Sequence, residues 1–168
     1  MSLSLVILGL VTLQRAGELI LARRNTTRLI AAGAREERAA HYPLLVLMHA
    51  AWLAGLWLLA WDRPVRLPWL AVFVLLQALR IWVIVSLGPR WTTRIIVSPH
   101  ADLVRRGPYR FLRHPNYLVV AGEIAVLPLV FGLPLYAALF SLANALVLTI
   151  RIRAENQALR GSKEPPST

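Results

Sequence analysis

The chain has 168 residues, 57% of them apolar, above the roughly 45–50% usual for soluble proteins. Its formal net charge is +11, from 18 arginines and one lysine against eight acidic residues, and it has no cysteine. Disulfides, thiolate metal sites and thiolate nucleophiles are therefore excluded, and the basic excess would point to nucleic acid only in a soluble protein.

A transmembrane helix needs about 20 mostly apolar residues, or roughly 17 at the short end. Residues 3–22 form a first candidate, interrupted by Arg15 and Glu18, which lie three apart and can pair on one helix face. No basic stretch precedes this run and no small-residue cleavage site follows it, so a signal peptide is not expected. Residues 44–61 form an uncharged second candidate. Its Trp52, Trp57 and Trp61, with Trp69 across the next loop, suit an interfacial belt. His49 reads as an interior histidine. No second histidine or carboxylate stands at ligand spacing in a span, so no metal is expected.

Residues 67–87 form the third candidate, with one charge, Arg80, three residues after Gln77. The last apolar region, residues 117–150, holds one charge, Glu123. As a single helix it would measure about 51 Å, far more than a hydrocarbon core of roughly 30 Å. Phe131-Gly132-Leu133-Pro134 offers a break, so two short helices in a hairpin are expected, giving about five spans. Ionisable groups inside spans are costly, and Arg80 and Glu123 could neutralise each other across helices.

Loop charge sets the orientation. Of the 19 basic residues, 15 fall in residues 23–43, 88–116 and the segment from Arg151, all on one side of a five-span chain. The opposite side has only Arg63 and Arg66 between the second and third spans. The asymmetry puts the N-terminus outside and the C-terminus in the cytosol. A soluble helical bundle is the alternative, but the second run has no polar face. The expectation is an all-α polytopic integral membrane protein with a C-terminal helical hairpin, in a single domain over 1–168. Residues 1–87 would hold three spans, and 88–160 a loop, the hairpin and a final helix. Residues 161–168 would form a disordered tail. Membrane lipids are expected partners, and nucleic acid is not.

The segment 88–116 is too long and too aromatic for a plain linker. Gly107-Pro108 marks a turn. His114-Pro115-Asn116 marks a helix start, since proline is favoured at the first helical position. The free N–H groups of such a start suit an anionic ligand group. Arg110 and Arg113 add positive charge, which charge anchoring alone would also explain.

Residues 107–117, GPYRFLRHPNY, preceded by a histidine and Leu103-Val104, resemble the signature of the isoprenylcysteine carboxyl methyltransferase family. So does the segment Arg151-Ile-Arg-Ala-Glu155-Asn156-Gln-Ala-Leu159. The resemblance covers roughly residues 80–160. It implies S-adenosylmethionine as cofactor, held in a cytosolic pocket by His100, Asp102, Leu103, Val104, Tyr109, His114, Pro115, Asn116, Tyr117 and Glu155. It also implies that Arg151 faces the acceptor. Two departures stand out: His100 lies one residue further from Leu103 than in the family, and Asn156 replaces a second glutamate.

The N-terminal half, with QRAGEL, ARRN, GAREE and His41-Tyr42 followed by His49, resembles bacterial membrane proteins linked to O-methylation of long-chain alkylpyrones or alkylresorcinols. A bacterial inner membrane would then be the location. The resemblance makes the chain an S-adenosylmethionine-dependent O-methyltransferase for a lipophilic acceptor drawn from the bilayer, a polyketide pyrone or resorcinol. A prenylated cysteine carboxylate is an alternative acceptor. A membrane reductase using NADPH and a non-enzymatic protein binding anionic lipid are alternative classes.

Arg151 and Glu155, four apart, share a helix face. Arg151, Arg80 and His41 are assigned to the acceptor. Arg151, Glu155 and His114 are the candidate catalytic residues. An acceptor already ionised needs no strong base. A phenol, with a pKa of about 10, would need help from His114 or His41. Tyr109 and Tyr117 could face the sulfonium, since aromatic faces attract cations.

Overall fold

A computed structural model of the chain describes residues 2–37, 42–97 and 104–161. Helix α1 spans Leu3–Ala31 and is capped by Ser2, whose hydroxyl accepts the N–H of Leu5. The helix runs on well past residue 22, because nothing breaks it before Gly33, which adopts a φ of 87°. This extension carries Asn25, which is buried and donates to the carbonyls of Gly88 at 3.2 Å and Trp91 at 2.9 Å. The end of α1 is thereby tied to the exit of the third helix.

Helices α2, Tyr42–Ala60, and α3, Leu67–Leu87, lie where the apolar runs place them. Helices α4, Pro115–Val130, and α5, Pro134–Gly161, form the hairpin, with Gly132 at a φ of 70° in the turn between them. Among the described residues a two-residue ribbon is added to the all-helical expectation: β1, Arg35–Glu36, pairs antiparallel with β2, Ile96–Val97. Four of the helices are long and apolar enough to cross a membrane. The fifth, α4, has 16 residues and is about 24 Å long, the short arm of the hairpin. The chain is an all-α polytopic membrane protein.

Successive helices run in opposite directions. At one end of the bundle the hydroxyls of Ser2 and Ser4 both donate to the carbonyl of Trp61, and the N–H of Arg66 donates to the carbonyl of Val130 at 2.8 Å. At the other end Arg106 Nε donates to the carbonyl of Ser86 at 2.8 Å. There Gly107 crosses α3 closely, at a φ of 58°. A Cβ at this position would overlap the Ser86 hydroxyl and press on Trp82 Nε1. The glycine of the motif is therefore required by the fold.

The core lies between α1, α2, α4 and the hairpin turn, where Leu8, Leu56, Leu127, Val130 and Phe131 are almost fully enclosed. Only part of the expected tryptophan belt is found. Trp52 packs in this core at 2% exposure, because it shares a helix face with Leu56 and Ala60. Trp57 donates to Thr12 Oγ1 at 3.0 Å, whereas Trp61 and Trp69 are exposed near the turn between α2 and α3.

Charged residues in α1, α3 and α4 meet inside the bundle. Arg80 donates from Nε and Nη2 to the two oxygens of Glu18, at 2.5 and 2.6 Å, and from Nη1 to Glu123 Oε2 at 2.9 Å. Arg15 bridges Glu18 and Glu123, each at 2.9 Å. Gln14 donates to Glu18 and to Gln77, and Gln77 donates to Glu123. Two arginines and two glutamates thus balance, and two amides fill remaining positions. This is the arrangement a buried ion cluster needs if desolvation is to be offset.

Candidate active site

The turn Gly107–Arg110 and the start of α4 face the far end of α5. Pro115 opens α4 from a buried position. His114 occupies the position before the helix, but its side chain makes no capping bond. Its ring stacks on Tyr117, one turn on, with centroids 5.3 Å apart and planes at 23°. The Tyr117 hydroxyl donates to Glu155 Oε2 in a short hydrogen bond and accepts from Arg151 Nε at 3.0 Å. His114 Nδ1 stands 3.8 Å from the same glutamate oxygen. Arg151 and Glu155 thus address one tyrosine from adjacent turns of α5, as their four-residue spacing allows.

Around this cluster hydrogen-bonding capacity is left over. Arg151 Nη1 and Asn116 Oδ1 are buried without a partner among the described residues. Each such atom costs about 1–3 kcal/mol if nothing meets it. Glu155 Oε1 also makes no bond among the described residues, and Glu155 and His114 keep 29% and 24% of their side-chain surface exposed. Tyr109 is half-buried nearby. Burial, and then the negative charge of Glu155, push its phenol above the usual range, so the hydroxyl stays protonated.

The structure therefore brings together Tyr109, His114, Pro115, Asn116, Tyr117, Arg151 and Glu155. Arg80 is not among them. All three of its nitrogens donate to Glu18 and Glu123, so the geometry gives it to the ion cluster rather than to an acceptor. Val104 lines a separate open groove of about 350 Å³ beside Pro89, Arg90, Arg105 and Arg106. His41, His100, Asp102 and Leu103 lie outside the described residues. Among the described residues no group of histidines and carboxylates could hold a metal.

One polar residue of this region was not singled out from the sequence. Asn144, on α5, is 1% exposed and its Oδ1 has no partner among the described residues. It is the one amide in the apolar stretch 134–150 of that helix, and its polarity within a span was signal enough to find it.

Residues 69–161 match the model of the Isoprenylcysteine carboxyl methyltransferase (ICMT) family. An uncharacterized protein of Bacillus subtilis (strain 168), YpbQ, is 38% identical over 160 residues, which are 92% of this chain and 95% of the relative. An uncharacterized protein of Haemophilus influenzae is 28% identical over 148 residues, 81% of this chain and 83% of the relative. No solved structure matches.

Proposed function

We propose that this chain, which belongs to the isoprenylcysteine carboxyl methyltransferase family, transfers a methyl group from S-adenosylmethionine to an oxygen of a lipophilic acceptor. The preferred acceptor is a long-chain polyketide pyrone or resorcinol. The observation that carries this reading is the unsatisfied cluster at Tyr117. A donor, Arg151 Nη1, and an acceptor, Asn116 Oδ1, are buried and unpartnered beside a half-exposed carboxylate.

These residues fit the cofactor. Its amino and ribose hydroxyl groups are donors, which Glu155 Oε1 and Asn116 Oδ1 can accept. The Tyr117 ring is already stacked on His114, and the Arg151 guanidinium carbon lies 5.7 Å from its centre. Tyr109 is therefore the aromatic wall left for a sulfonium. When bound, the cofactor supplies an electrophilic methyl group for in-line displacement.

The chain's own residues hold the acceptor for that step. Arg151 Nη1 would donate to the acceptor oxygen, stabilising it as an anion and orienting it toward the methyl group that the cofactor would supply. Tyr117, fixed between Arg151 Nε and Glu155, keeps the arginine from swinging away. A carboxylate or enolised pyrone arrives ionised, whereas for a phenol His114 takes the proton. The site then lies on the cytosolic face, with the N-terminus outside. The family description favours a second acceptor of like chemistry, a prenylated cysteine carboxylate, whose oxygen would meet Arg151 in the same way.

The test is methyl transfer. Purified protein in lipid nanodiscs is incubated with methyl-labelled S-adenosylmethionine and, in parallel, an alkylpyrone, an alkylresorcinol and a prenylcysteine. Label in the first two supports the reading, and label in prenylcysteine alone supports the second acceptor. No labelled product from any of them, in protein that binds no cofactor, sinks the enzyme reading.

A further inference from the structure

Below the Tyr117 cluster, α4 borders a second space. Val120, Glu123 and Ile124 enclose it together with Arg15, His49 and Trp52. It gives the centre of a water-sized group about 10 Å³ of room, which is enough for a single oxygen atom. Two of its lining side chains carry buried donors with no partner among the described residues: the indole Nε1–H of Trp52 and the Nε–H of Arg15. Trp52 is 2% exposed. A third lining residue, His49, has Nδ1 at 2.9 Å from the carbonyl of Leu45. A carbonyl only accepts, so Nδ1 carries the hydrogen, and in the neutral ring Nε2 is an acceptor.

Two donors and one acceptor are the complement of a hydroxyl group, which has two lone pairs and one hydrogen. Charge selects the same group. Arg15 and Arg80 already balance Glu18 and Glu123, so a carboxylate or phosphate would add uncompensated charge where it is most costly. A neutral hydroxyl leaves the balance intact. The chamber is not sealed, since the Arg15 side chain keeps 19% of its surface exposed and His49 is half-buried. Arg15 and His49 both lie in apolar helices able to span a membrane, so a lipophilic molecule can reach the opening.

We propose that this chamber binds a hydroxyl group of a lipophilic ligand. Trp52 and Arg15 donate to its oxygen, and His49 accepts its hydrogen. The inference rests on the methyltransferase reading for its consequence, which is to narrow the acceptor to a molecule with a second, unmethylated hydroxyl. The rise along α4 from Tyr117 to Val120 is about 4.5 Å, close to the breadth of one aromatic ring. A resorcinol could place one oxygen at Arg151 and the other in the chamber.

The experiment measures binding without cofactor. Full-length protein in phosphatidylcholine nanodiscs is titrated with a 5-alkylresorcinol and with its dimethyl ether. The wild type binds the resorcinol about tenfold or more tightly than the ether, as expected for a hydroxyl that satisfies buried donors. Trp52→Phe keeps the ring and removes the N–H, and it cuts this preference to about threefold or less. His49→Leu, run beside it, removes the acceptor and gives the same loss. Equal affinity for the two ligands in the wild type, or an unchanged preference in both variants, overturns the proposal and leaves the chamber to a water molecule only. Cofactor titration separates the two readings. A hydroxyl preference in protein that binds no S-adenosylmethionine removes the enzyme reading alone. Cofactor binding without the preference removes this site alone.

Discussion

Two arginine–glutamate clusters sit at two depths of the same bundle, and they differ in what they leave unsatisfied. Around Arg80, every guanidinium nitrogen meets a carboxylate, and Gln14 and Gln77 donate to further lone pairs of the same carboxylates. Around Arg151, one nitrogen holds Tyr117 and another is buried with no partner among the described residues. The first cluster joins α1, α3 and α4, and among the described residues its one idle buried atom is the Nε–H of Arg15, at the chamber described above. The second is half-exposed, and its spare donor and acceptors suit a ligand. Residue type alone does not separate the two, since both are arginines within four residues of another polar side chain on their own helix. Saturation of the arginine itself separates them: all three nitrogens of Arg80 are bonded, whereas Arg151 Nη1 has no partner among the described residues.

The largest effect is expected at Arg80. Arg80→Ala strands Glu18 and Glu123 inside the bundle, and removing one partner of a buried pair costs about 3–5 kcal/mol. Loss of monodisperse protein in detergent, or a steep fall in its thermal midpoint, is the expected result. Adding Glu123→Gln recovers part of the loss, because Arg15 and Glu18 then remain as a balanced pair. If Arg80→Ala unfolds no more readily than the wild type, the cluster is not structural.

Tyr117→Phe sharpens the other side. It removes the hydroxyl between Arg151 and Glu155 while keeping the ring against His114. A net effect of about 0.5–1.5 kcal/mol is expected, as for one hydrogen bond. It should be read in turnover of the acceptor, with the thermal midpoint little changed. A large fall in stability with normal turnover would make Tyr117 a packing residue.

The smallest effect belongs to a pair outside both clusters. Glu36 and Arg94 meet at 2.8 Å across the ribbon, where Arg94 is exposed. Glu36→Ala should cost less than about 1 kcal/mol and vanish into error at high salt. A larger loss would mean that the ribbon does more than tie the α1 extension to the loop.

Much of this was legible in the sequence. The bounds of α3 and the break at Gly132 followed from uninterrupted apolar runs and a glycine–proline signal. The Arg15–Glu18 pair followed from spacing, and the Arg80–Glu123 contact from the cost of burying charge. The end of α1 did not follow, because hydropathy falls at Arg23-Arg24 while helical backbone continues to Ala31. Nor did the double role of Glu18, which binds both arginines only once α1 and α3 pack. At the site, the shared face of Arg151 and Glu155 was readable from their spacing. Their common partner Tyr117 and the idle Oδ1 of Asn116 depend on how α4 meets α5, and no local pattern encodes that.

If the Tyr117 cluster is open because it binds S-adenosylmethionine, its carboxylate must hold the cofactor. The direct measurement is calorimetric titration of the cofactor into wild-type protein and Glu155→Gln in nanodiscs. The expected result is saturable binding to the wild type and a weakening of roughly 10-fold or more in Glu155→Gln, as for loss of a charged hydrogen bond, with an unchanged thermal midpoint. Equal affinity in the two proteins would contradict it.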